Sequence, residues 1–135
     1  MNGFEVAQWV IRIAFALAFI GMGLNHFRRG PAKVMAKMVP PALRGTGALS
    51  PARLVLYTGI CEVAGGVGLV VPAALIPGVQ YAAAIALIVF LIAVFPANAY
   101  AAAHPETFRS LAIPFWPRFL AQVVMIGLLG VTLAA

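Results

Sequence analysis

Four apolar runs, at about residues 6–25, 53–71, 78–98 and 118–133, fill most of a chain of 135 residues. The first three meet the roughly 20 residues that a helix needs to cross a bilayer, and the fourth comes close to it. Composition agrees, because 64% of the residues are hydrophobic and only 9% charged, against about a quarter charged in soluble domains. The pattern therefore predicts an all-α, integral membrane four-helix bundle. Four spans leave too little chain for a second domain, so residues 1–135 read as one unit with the lipid bilayer as its solvent.

Prolines and glycines punctuate the runs. The first ends at His26, Phe27, Arg28, Arg29, Gly30 and Pro31, and a basic loop follows as far as Pro51. Lys33, Lys37 and Met38 are placed there on a short interfacial helix that Pro40 and Pro41 would stop. Pro96 falls near the end of the third run, which either stops close to Asn98 or continues past a kink to Ala103. A loop with His104, Glu106, Arg109, Pro114 and Pro117 leads to the fourth run at Arg118. Met1 to Ala7 hold Glu5 and no Lys or Arg, so the first run is expected to be a permanent span and not a cleaved signal.

Nine Lys and Arg stand against three acidic residues, for a net charge of +6. Apart from Arg12, every basic residue lies in or beside the first and third loops, which share one side of a four-span chain. The positive-inside bias puts those loops in the cytoplasm and both termini outside an inner cell membrane. Topology thus accounts for the charge without nucleic acid as a partner.

Ionisable groups at membrane depth cost about 2.5 to 3.5 kcal/mol on insertion scales and so must have partners or a function. Glu62 lies near the middle of the second run, with Thr58, Gly65 and Gly66 on its face. Arg12, in the first run, is the natural counter-ion, and an Arg12–Glu62 pair would satisfy both charges without a ligand. The other reading is a desolvated, protonated Glu62 that exchanges a proton with something bound. A second polar set closes the helix ends on the basic side: Asn25 and His26, Asn98 and Tyr100, Arg118 and Gln122. Singly, Asn25 reads as a helix cap and Arg118 as a snorkelling cation; together they outline a small polar pocket. Gly21, Gly23 and the Gly65 to Gly68 stretch read as close-packing positions. Tyr57, Cys61 and Met125 read as core. One cysteine and two separated histidines offer no disulfide, no metal site and no haem ligation, so the chain itself is expected to hold no cofactor.

GMGLNHF at Gly21 to Phe27, the MVPPAL after it, TGICEVAGGVGLVVP at Thr58 to Pro72, FPANAYAA at Phe95 to Ala102 and RFLAQ at Arg118 to Gln122 resemble the DoxX-like family of small four-helix bacterial membrane proteins. The resemblance covers nearly the whole chain and implies a redox setting, with Asn25, His26, Glu62, Asn98, Arg118 and Gln122 at the family's polar positions. It also differs: related members often carry a proline between the Arg and the Gln, and many have a Lys near Asn25 and His26. Three functions follow from these residues. The first is a redox-associated accessory protein whose pocket holds a small hydrophobic or quinone-like ligand and which docks a soluble oxidoreductase. The second is a small-solute transporter gated by Arg12 and Glu62, which needs a homo-oligomer to enclose enough space. The third is a structural subunit whose charges merely pair. An enzyme acting alone ranks below them, for lack of a thiol pair, metal cluster or phosphate-cradling loop.

Overall fold

A computed structural model describes residues 1–135 and is all-helical. Helix α1 spans Gly3–Asn25, α2 Arg29–Met38, α3 Pro51–Val70, α4 Val79–Ala103, α5 Pro105–Phe108 and α6 Phe115–Val131. Four stretches, Gly3–Asn25, Pro51–Val70, Val79–Ala103 and Pro105–Val131, are long and apolar enough to cross a membrane. They form a multi-pass helical bundle.

Local chemistry fixes the ends. Asn2 and Glu5 make a reciprocal capping box that starts α1. Ser50 accepts from the Arg53 N–H, and Pro51 occupies the first helical position of α3, where its missing N–H costs nothing. α2 is the expected short basic helix and ends before Pro40 and Pro41. α4 continues through Pro96 to Ala103, the longer of the two expected courses. α6 begins at Phe115, earlier than Arg118, because Pro117 falls in its first turn, where backbone N–H groups have no helical acceptor anyway.

The helices run antiparallel and meet through glycine. A methyl group on Gly66 would stand 3.1 Å from the Ala16 carbonyl, and one on Gly23 3.0 Å from the Gly59 carbonyl, so α1 and α3 touch backbone to backbone. Gly65 lies against Leu87 and Gly68 against Ala83, which seats α4 on the other side of α3. Between them Phe19, Leu69, Ala84, Leu87, Leu91 and Leu129 form the apolar core. Large apolar side chains such as Leu17, Ile92 and Val124 point outward, as a lipid-facing surface requires. Tyr57 and Cys61, expected in the core, belong to this outer face, because α3 turns its Gly59, Glu62 and Gly66 side inward.

The basic loops come together at one end of the bundle, where Arg44 lies 6.0 Å over the Tyr100 ring at the close of α4.

Candidate functional site

Glu62 is the most deeply buried charged side chain, with 3% of its surface exposed. Its register decides its partner. A methyl group on Gly23 would meet the Glu62 Cβ at 2.9 Å, so Glu62 is level with the end of α1 and not with its middle. Arg12 lies eleven residues earlier, roughly 16 Å along the helix. The Arg12–Glu62 pair expected from the sequence is therefore not formed.

The partner is His26, the residue that caps α1, whose Nε2 stands 2.7 Å from Glu62 Oε2. Both side chains are largely buried at this contact. On the other side of the ring, Nδ1 lies 2.9 Å from the Val55 carbonyl and 3.0 Å from Thr58 Oγ1. Thr58 itself donates to the same carbonyl. A carbonyl only accepts, so Nδ1 carries a hydrogen, and in a neutral ring Nε2 is then bare. Two bare acceptors do not approach to 2.7 Å. One proton is consequently shared between His26 and Glu62, either as imidazolium and carboxylate or as neutral ring and carboxylic acid, and the dyad is neutral overall.

The dyad opens onto a pocket of about 370 Å³ at the basic end, between α1, α2, α3, α4 and α6. Asn98 and Arg118 reach it from α4 and α6, and Met35 and Met38 of α2 close it from above. Arg118 is half-buried and its Nε–H has no acceptor. Four of the six expected pocket residues, His26, Glu62, Asn98 and Arg118, thus meet in one cavity. The other two do not. Asn25 turns away and accepts from Arg28 at 3.3 Å, while Gln122 is buried one turn beyond Arg118 without lining the pocket. Met125, expected in the core, packs against it and also lines the pocket. No three His, Cys, Asp or Glu side chains cluster as metal ligands would.

Arg12 has a separate task. Its Nη2 donates to the Thr132 carbonyl at 2.9 Å, and Gln8 donates to the carbonyls of Val131 and Ala134. These two side chains supply donors to carbonyls at and just beyond the end of α6, those of Thr132 and Ala134 having no backbone donor, and the guanidinium sits at the negative pole of that helix. Trp9 adds a ring 5.5 Å from the guanidinium carbon. The buried Arg12 charge is a clamp between the first and last helices, at the opposite end from the pocket.

Two features escaped sequence reading. Gly59, whose missing side chain admits His26, sits outside the conspicuous Gly65–Gly68 stretch. Leu111 and Ile113, which wall the pocket, come from the loop before α6.

No curated protein and no solved structure matches the chain. A family model described as "Domain of unknown function" does match, over residues 15–129, a range that contains every residue of the pocket. The chain belongs to that family, DUF8561.

Proposed function

We propose that the protein is a redox-associated membrane binding protein of DoxX-like type, holding the head of a quinone-like molecule in the pocket at its basic end. The observation that carries this reading is the buried His26–Glu62 dyad on the wall of a cavity that Asn98 and Arg118 also line. The guanidinium of Arg118 and the amide of Asn98 are both hydrogen-bond donors at this cavity, suited to the carbonyl oxygens of a quinone head. The dyad, holding one proton, is placed to exchange it with a bound head.

In this reading the basic end faces the cytoplasm of an inner membrane, following the positive-inside bias. A soluble oxidoreductase would meet the protein there and supply or remove electrons. The test is a titration of the purified protein with a decyl-tailed benzoquinone, followed by quenching of tryptophan fluorescence. Saturable binding that is lost in Glu62→Gln and in Arg118→Leu supports the reading. Binding that is absent in the wild type, or unchanged in both variants, removes it.

A further inference from the structure

A second cavity, of about 900 Å³, runs along the lipid-facing side of α3 and α4, past Cys61, Gly68, Val79, Ala86 and Ala93. It meets the polar pocket. Val39, Leu54, Thr58, Phe90, Val94 and Ala97 line both, and Thr58 at that junction also touches the His26 ring. The two spaces lie side by side, one on the outer surface of the bundle and one against Glu62, and those six residues stand between them.

The dimensions decide what fits. The α4 wall from Val79 to Ala97 is roughly 27 Å long at 1.5 Å per residue. The volume of about 900 Å³ then averages to a section of about 33 Å². A single hydrocarbon chain, whose carbons pack at roughly 4 Å, fits. Ala64, Gly65, Gly68, Ala82, Ala86 and Ala93 keep much of the wall low.

We propose that the α3–α4 groove is the tail site of the same ligand. The ligand class is an amphiphile with a compact, carbonyl-bearing head and one long hydrocarbon tail, entering sideways from the bilayer through the Thr58–Val94 junction. This rests on the head-pocket reading above, and the experiment separates the two.

Cys61, the single cysteine, is exposed on the groove wall and reports its occupancy. The full chain in lipid nanodiscs is treated with N-ethylmaleimide, alone or with one of two probes. One is a fully substituted benzoquinone, to which a thiol cannot add, bearing a decyl tail; the other is the same head without a tail. At about ten times its dissociation constant, the tailed probe should slow Cys61 alkylation about tenfold by mass action. The tailless probe should bind and leave that rate unchanged. Ala86→Phe and Ala93→Phe, both at exposed positions, should abolish the protection while leaving tailless binding intact. If the tailed probe binds saturably and Cys61 reacts at its free rate, the tail lies elsewhere and the proposal fails while the head pocket stands. If neither probe binds, both fail. If Cys61 is protected without probe and Ala93→Phe converts an oligomer to a monomer, a second copy fills the groove and the proposal is overturned.

Discussion

Gly59 lies so close to the end of α1 that a methyl group on it would stand 2.5 Å from the His26 Cβ. That approach is what delivers the imidazole to Glu62. Gly59→Ala should push His26 off the dyad and cost about 1–3 kcal/mol, the usual penalty of overpacking. Gly21→Ala, inside α1 at a position with nothing within 4 Å, serves as the control and should not lower stability and can raise it by up to about 1 kcal/mol. Unfolding in mixed micelles checks both, and quinone binding should fall only in Gly59→Ala.

Arg118→Leu should separate stability from function. Its Nε–H is buried without an acceptor, so removing the guanidinium relieves a desolvated donor worth about 1–3 kcal/mol. The variant is expected to unfold no more easily than the wild type while binding the quinone head at least about tenfold more weakly, the loss of one charge-assisted hydrogen bond. A variant that loses both stability and binding would make Arg118 a structural residue.

Much of the architecture is legible from the sequence because its signals are local. Twenty-residue apolar runs, proline stops and a Ser-Pro helix start need no knowledge of neighbours. The pocket was legible as a set of polar residues at one end of the bundle, since antiparallel spans bring chain positions 26, 98 and 118 to similar depth. Pairing was not. A place near the middle of its run makes Glu62 a match for Arg12, but register between α1 and α3 is set by Gly23, Gly59 and Gly66, and glycine carries no sign of which backbone it admits. Likewise nothing in the sequence says that Arg12 and Gln8 would find the carbonyls of a helix more than a hundred residues away.

The clamp at the far end makes an independent prediction. Gln8→Ala should free the carbonyls of Val131 and Ala134 and let the end of α6 fray. Hydrogen exchange should speed up in the last turn of α6 and stay unchanged around His26 and Thr58. Quinone binding should be that of the wild type, because the pocket lies at the other end.

The account turns on which cation Glu62 meets, and two double-mutant cycles on unfolding free energy decide it most directly. Apolar replacements are used throughout, His26→Leu with Glu62→Leu in one cycle and Arg12→Leu with Glu62→Leu in the other. His26 and Glu62 should show a coupling of about 1 kcal/mol or more, at the upper end for side-chain pairs in a membrane. Arg12 and Glu62, roughly 16 Å apart along α1, should be additive within about 0.5 kcal/mol. A strong Arg12–Glu62 coupling beside additive His26 and Glu62 would contradict the dyad and the pocket built on it.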